Sequence, residues 1–464
     1  MSPTVYLAML GIIPFGQWLM GKYPARRAVA AIFVIGWILL PQAKFDIPVL
    51  PDYTKGNAMG LAALFAVMAK DFQVFKTFRF KWIDIPMVCW CVAPFCSSVA
   101  NGIGAWDGVS AALANIFGWG LPYFIGRLYF GSLEGLRELG IAMFIGGLAI
   151  APLALVEMLI SPQMHILVYG WYPHDFSQTK RGEGYRPSVF MAHGLELAMW
   201  NAAAAFIGCQ LYLRKVLDKT VPFLKIPLIP AAAGLVLVLV FSRSSGALLL
   251  YLLGMGVFQA AVVLRSRLPL LLLLLMPILY MNLRTTGAWD GQSLIEVAGK
   301  VTGNVERTGS LGYRLYNESL LIEKAKLRPV FGWAGYKRSF VTNSEGDYIS
   351  VPDGMWILTL GKNGLFGLTA LTASVLLAPL IFFLRVPGKL IGDARVATAA
   401  AFATFLGVFM ADNLINAMYN PLMMLAAGGL AALVLQKNPW TMLKAHATDL
   451  ALEPVNPYVV TRVI

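Results

Sequence analysis

Apolar runs recur along the whole chain, and they are clear at 28–41, 84–100, 139–160, 226–241, 245–264, 268–283, 365–384, 396–411 and 420–435. Most approach the ~20 residues that a helix needs to cross the hydrocarbon of a bilayer. Shorter or more polar candidates lie between them at 4–20, 57–69, 109–130 and 190–213. The pattern predicts an all-α polytopic integral membrane protein with about 12–13 transmembrane helices. A membrane β-barrel is excluded, because its strands alternate apolar and polar residues and these runs are continuously apolar. The first run has no basic residue before it and Lys22, Arg26 and Arg27 after it, so it reads as a retained helix and not a cleaved signal.

The polar positions between the runs carry the orientation. Lys22, Arg26 and Arg27; Lys70, Lys76, Arg79 and Lys81; Arg214, Lys215 and Lys219; Arg265 and Arg267; and Arg385, Lys389 and Arg395 fall on alternate connections. Lys and Arg collect in cytoplasmic loops, so these connections are expected inside, with the N-terminus outside and the C-terminus inside. In a Gram-negative cell the other face is the periplasm, and the membrane is the bacterial inner one. A formal charge of +13 then reports topology, and nucleic acid is not expected as a partner. Hydrophobic residues make up 58% and charged residues 13% of the chain, which a water-soluble domain does not tolerate.

Residues 1–464 read as a single transmembrane domain with two large outside loops, at 161–189 and 284–352, and a cytoplasmic tail at 436–464. In the second loop "GYRLYNESLLIEKAKLRPVFGWAGY" has helical periodicity over 313–327, with Leu315, Leu320, Leu321 and Ala325 on one side. Arg328-Pro329 stops that helix, and Gly332 and Gly335 form the turn.

Cations in these loops run against the topological bias. Arg181, Arg186, Arg243, Arg307 and Arg314 stand out, with Arg328 and Arg338 beyond them. A guanidinium is a planar fork that stays charged and grips phosphate oxygens in pairs, so several converging on one crevice suit a diphosphate. Each has a plainer alternative: interfacial snorkelling for Arg243, an i, i+4 pair with Glu318 for Arg314, and solvated loop charges for Arg181 and Arg186.

The order "GYRPSVFMAHG", "FSRSSGALL", "GYRLYNESLLIEKAKLRPVFGWAGYKRSF" and then Asp353-Gly354, nine residues and Gly364-x-x-Gly367 resembles the O-antigen ligase and polymerase superfamily, over roughly residues 115–435. The resemblance implies a membrane glycosyltransferase of the C type. Such an enzyme moves glycan from an undecaprenyl-diphosphate-linked oligosaccharide to an acceptor glycan at the periplasmic face, inverting the anomeric centre without a metal or other cofactor. Where the ligase pattern has histidine this chain has Asp353, so a polymerase of exopolysaccharide or O-antigen repeats is preferred to a ligase acting on lipid A core or a protein.

In that chemistry Arg314, Arg186 and Arg243, with Arg181, form the expected diphosphate clamp, and Asp353 is the expected base for the acceptor hydroxyl. Asp353 is expected to be held ionised by nearby arginines, and its alternative role is a helix N-cap. His193, Glu318 and Tyr336 are candidates for positioning. His165 and His174 read as solvated loop residues. Tyr169, Trp171, Tyr172, Tyr185 and Trp289 fit either sugar stacking or an interfacial belt. Cys89, Cys91, Cys96 and Cys209 read as apolar thiols. A transporter would also be all-helical, but it calls for mid-span charges in repeated halves, and no repeat is evident. A metal-dependent transferase would use Glu345, Asp347 and Asp353 together.

Overall fold

The computed structural model describes residues 2–47, 51–181, 184–302, 305–335 and 337–436, with the backbone alone at 298, 301–302 and 305–307. Tyr336 and the tail at 437–464 lie outside the described residues, as does the side chain of Arg307.

The chain is an all-α membrane protein. Its helices are α1 (Pro3–Lys22), α2 (Ala25–Leu39), α3 (Lys55–Lys70), α4 (Ile85–Ala100), α5 (Ala105–Asn115), α6 (Leu121–Tyr129), α7 (Leu133–Ile160), α8 (Met164–Tyr169), α9 (Gly194–Leu213), α10 (Leu228–Phe241), α11 (Ser245–Val263), α12 (Leu268–Thr286), α13 (Gln292–Thr302), α14 (Val305–Lys326), α15 (Met355–Arg385), α16 (Ala397–Asp412) and α17 (Pro421–Val434). Every expected span coincides with a helix or, at 109–130, with α5 and α6 joined by the π-helical turn Ile116–Gly120. Seven helical segments among the described residues are long and apolar enough to cross a membrane. Most of the other spans are shorter, and α9 is made less apolar by Glu196, Asn201 and Gln210. Two small hairpins, β1 (Lys44–Phe45) with β2 (Tyr53–Thr54) and β3 (Lys180–Arg181) with β4 (Gly184–Tyr185), complete the elements.

The connections sort onto two faces in the alternation that the basic residues predict. On one, the loop face, Ser2 bonds the carbonyl of Tyr169 and Arg328 bonds Asn101. On the other, Arg26 bonds the carbonyl of Tyr129, Arg137 that of Val216 and Arg385 that of Val434. Between the faces the helices approach through small residues, which let backbones come close where apolar side chains gain nothing over lipid. A Cβ at Gly126 would fall on the carbonyl of Leu425, and one at Gly428 on that of Tyr123, so α6 and α17 touch backbone to backbone.

The helix α15 is broken. Gly364 has φ 63° and ψ −164°, which separates a half-helix at 355–363 from one at 365–385. The segment 329–334, which follows α14, fills the gap. Trp333 and Ala334 donate to the carbonyls of Gly361 and Lys362, each at 2.9 Å, and Leu365 and Phe366 donate to Pro329 and Val330 at 2.7 and 3.1 Å. Backbone groups freed on both sides of the break thus find partners in the inserted segment. Ser97 of α4 locks the junction, its hydroxyl lying 2.5 Å from the carbonyl of Phe331 and 2.6 Å from that of Lys362.

Gly364→Ala therefore meets two obstacles, a positive φ and a Cβ directed at the carbonyl of Val330. Backbone strain alone costs about 1–3 kcal/mol. The expected result is a markedly lower melting temperature in detergent, and an unchanged one would refute the break.

The loop-face layer is ordered by α14, which begins earlier than the periodicity indicates and buries Leu315, Leu321, Ile322 and Ala325, Ile322 taking the place expected of Leu320. The turn glycines Gly332 and Gly335 have φ of 67° and 58°.

Candidate functional site

The first half of the site forms where the β3–β4 hairpin, the turn between α10 and α11, and the start of α9 meet. Arg243 occupies that turn with φ 55°. Its Nη1 donates to the carbonyl of Arg181 at 2.9 Å, and its own carbonyl accepts from Nη2 of Arg186 at 3.3 Å. Its guanidinium lies against Gly184, where any Cβ would overlap it. Arg243 thus ties the hairpin to the turn, a more specific task than snorkelling. The stem of Arg186 lies on Gly194 in the same way. Nε of Arg186 is buried with no partner among the described residues. Burial, and then the charges of Arg181 and Arg314, lower the pKa of Arg186 to about 10, which leaves it cationic at neutral pH.

His193 stands at the centre of these cations. Its Nδ1 accepts from the backbone N–H of Leu195 at 3.0 Å and caps α9, so the neutral ring carries its proton on Nε2. Burial first, then Arg186, His174, Arg181 and Arg314, push its pKa down to about 4. The ring of His174 meets it edge-on at 4.8 Å. His193 is therefore a neutral donor at physiological pH. It fits a positioning role, whereas a base would need the nitrogen already committed to Leu195.

The second half is contributed by α14 and the start of α15. Arg314 Nε lies 3.2 Å from Asp353 Oδ2, and its Nη1 donates to the carbonyl of Ile415, also at 3.2 Å. The i, i+4 pair with Glu318 does not form. Glu318 is buried elsewhere, 3.2 Å from Nε of Arg284, and it accepts from the hydroxyl of Tyr280 at 2.8 Å and the indole of Trp356 at 3.3 Å. That carboxylate clasps α12, α14 and α15 together, and burial raises its pKa.

Two expectations for Asp353 are corrected. The N-cap of α15 is Gly354, and no side chain caps it, so Asp353 is one residue too early to serve. Its pKa is raised, not lowered: burial outweighs the opposing effect of Arg314. An ionised carboxylate whose pKa is raised is a stronger base than an exposed one, which suits proton acceptance better than the lowered pKa expected from charge alone.

Arg181, Arg186 and Arg314 are therefore brought to bear on His193, with Asp353 beside Arg314, while Arg243 braces the hairpin backbone next to them. Glu345 and Asp347 do not join. Both backbone amides are tied to Asn343 Oδ1, at 3.0 and 2.8 Å, in a turn of their own. Among the described residues no group of three or more His, Cys, Asp or Glu gathers as a metal ion would require.

Other charged groups went unnoticed in the sequence because they sit inside or at the edge of apolar runs. Lys55 is buried at the start of α3, with Nζ 2.8 Å from the carbonyl of Phe190 and 5.2 Å from the ring centre of Trp37. Glu196 accepts from the amide of Ala192 at 2.7 Å and lines a small cavity with Asp412. Asp412 accepts from Asn416 at 2.6 Å, while its Oδ2 has no partner among the described residues. His165 is also corrected. It is buried, not solvated, with Nδ1 2.6 Å from the carbonyl of Trp171 and Nε2 accepting from the amide of Gln42. Tyr169, Trp171 and Phe190 pack around it as the core of the first loop, which removes the first two from the list of free stacking surfaces.

The chain matches no protein-family model and no curated protein. Its chemistry has to be read from these residues. A group of guanidiniums beside a neutral imidazole donor and one basic carboxylate can bind an anion, stabilise negative charge as it grows and take up a proton.

Proposed function

We propose that the protein is a glycosyltransferase of the polymerase kind. It moves a growing glycan from undecaprenyl diphosphate to an acceptor sugar at the periplasmic face of a bacterial inner membrane, inverting the anomeric carbon without a metal. The convergence of Arg181, Arg186 and Arg314 on His193, with Asp353 3.2 Å from Arg314, carries this reading. Arg314 and Asp353 lie far from Arg181, Arg186 and His193 in the sequence, and bringing like charges together costs energy that an anionic substrate returns.

In the transfer, the oxygen of the acceptor hydroxyl forms a bond to the anomeric carbon. The bond from that carbon to the diphosphate oxygen breaks, and its electron pair stays on the diphosphate. Arg186 and Arg314 stabilise the charge that grows there, since preorganised donors act most strongly where charge develops. The hydroxyl proton passes to Asp353. Arg181 adds to the positive field, Arg243 holds the backbone of the hairpin, and His193 offers its Nε2–H to a phosphate or sugar oxygen. The loop face is assigned to the periplasm by the Lys and Arg bias of the opposite connections. A ligase would share the donor chemistry and differ in acceptor. A transporter would share the cations and transfer nothing.

The test is incubation of the purified protein in lipid vesicles with a defined undecaprenyl-diphosphate oligosaccharide, with and without lipid A core and with and without a chelator. A chelator-resistant ladder of repeats on the carrier is expected. A single transfer to lipid A core would make the protein a ligase, chelator sensitivity would require a metal, and no transfer under any condition would remove the reading. In cells, a single cysteine replacing Glu345 should react with an impermeant thiol reagent and one replacing Asp218 should not. The reverse pattern would turn the site toward the cytoplasm.

A further inference from the structure

A second cavity, separate from the arginines, opens between α4, α5, the π-helical turn and the first half of α15. Its volume is about 540 Å³, within the range of about 300–1,000 Å³ usual for ligand sites. Trp90, Trp119 and Tyr419 wall it on one side; Asp107, Asn115 and Lys362 supply polar groups. The three aromatic rings pack on one another, Trp90 edge-to-face with Trp119 at 5.5 Å between centres and Trp119 tilted against Tyr419 at 4.7 Å.

Two irregularities of the described helices border this space. Trp119 belongs to the π-helical turn, and Lys362 immediately precedes the break of α15 with Asn363, which also lines the cavity. Irregular backbone at membrane depth is tolerated where it lines a cavity, and single π-helical turns are frequent at functional sites.

We infer that this cavity binds a sugar, and that it holds the acceptor. The aromatic surface suits the C–H faces of a pyranose ring, while the carboxylate, amides and ammonium suit its hydroxyls. A polyprenyl chain would fill the same volume but would cover the Asp107 carboxylate and offer it no hydrogen bond. The cavity also adjoins the proposed chemistry. The loop at 415–419 is a shared wall: the carbonyl of Ile415 holds Arg314, while Ala417 and Tyr419 line the cavity. Met355 lines it too, two residues after Asp353, and its amide donates to the carbonyl of Asn416 at 3.1 Å. On this reading the outer hydroxyls of a seated sugar are the ones presented toward Asp353, two residues before the lining residue Met355. The acceptor role rests on the transferase reading; the sugar binding does not.

The experiment uses the full chain in nanodiscs and saturation-transfer NMR with defined disaccharides of hexose, N-acetylhexosamine and hexuronate. Ring-proton signals are expected for at least one of them, retained in Arg186→Ala and lost in Ala114→Trp, which plugs the cavity. Because a plug can prevent folding, Lys362→Met serves as the second variant: it should weaken the same disaccharide by about tenfold and raise the acceptor KM while leaving the donor KM unchanged. Absence of any disaccharide signal that depends on Ala114 or Lys362 overturns the inference, as does displacement by Ala114→Trp of a polyprenyl phosphate in place of a sugar. Cavity-dependent sugar binding in a protein that transfers nothing sinks the acceptor role and the transferase reading together, and leaves the sugar site standing.

Discussion

Asp353→Asn is expected to leave a folded, membrane-inserted protein that makes at least ~100-fold less product, the scale on which a positioned base contributes. Stability should change little. The residue does not cap α15, and its pair with Arg314 has both side chains about a third exposed, where such pairs contribute about 0–1 kcal/mol. What the substitution removes is the ability to take a proton. The pH profile carries the sign: the deprotonated carboxylate is the active form, and burial raises its pKa above the ordinary value near 3.9, so activity falls as pH drops through that raised value. No inflection is expected near 6.5, because His193 is held at about 4. Repeat-ladder assays across pH, alongside the melting temperature, decide the matter. Wild-type rates in Asp353→Asn would leave the arginines as the only catalytic groups.

Arg314→Lys should cost a factor of ten or more in kcat/KM, at about 1.4 kcal/mol per decade. The positive charge survives, but one ammonium cannot reproduce a fork whose Nε meets Asp353 and whose Nη1 meets the carbonyl of Ile415 while further N–H groups remain for a phosphate. Arg314→Ala removes the charge as well and should fall further. Initial rates against donor concentration, with expression matched, test both. A near-normal rate in Arg314→Ala would reduce this residue to a strut between α14 and the 413–420 loop.

The helices were legible because a bilayer leaves the sequence little freedom: a span must be continuously apolar, and Lys and Arg mark alternate ends. Partners across the layer were not legible. Glu318 is one turn from Arg314 and was the obvious ion-pair partner, yet it lies beside the buried stripe of Leu321 and Ile322, where Arg284 of α12 already reaches it. Asp353 resembled a cap because helix ends are uncertain by a residue or two in a sequence, and here one residue decides the role. His165 looked solvated because long loops usually lie in water, but this loop has an aromatic core of its own. That Gly364 marks a break was not legible, since nothing in an apolar run announces where another segment will enter it.

The inserted segment at 329–334 and the carbonyl of Ile415 also set an order of manufacture. On a chain emerging from the ribosome, Ser97 of α4 has neither Phe331 nor Lys362 to meet until well over two hundred further residues exist. Arg314 then lacks its Ile415 anchor until α16 has been inserted. A nascent protein halted between α15 and α16 would hold most of its apolar helices yet present an open jaw, with one wall of the proposed anion site and one wall of the proposed sugar cavity still unmade. The proposed site is therefore completed only once α16 and the loop after it have been made, so a transfer that depends on that site cannot begin before then.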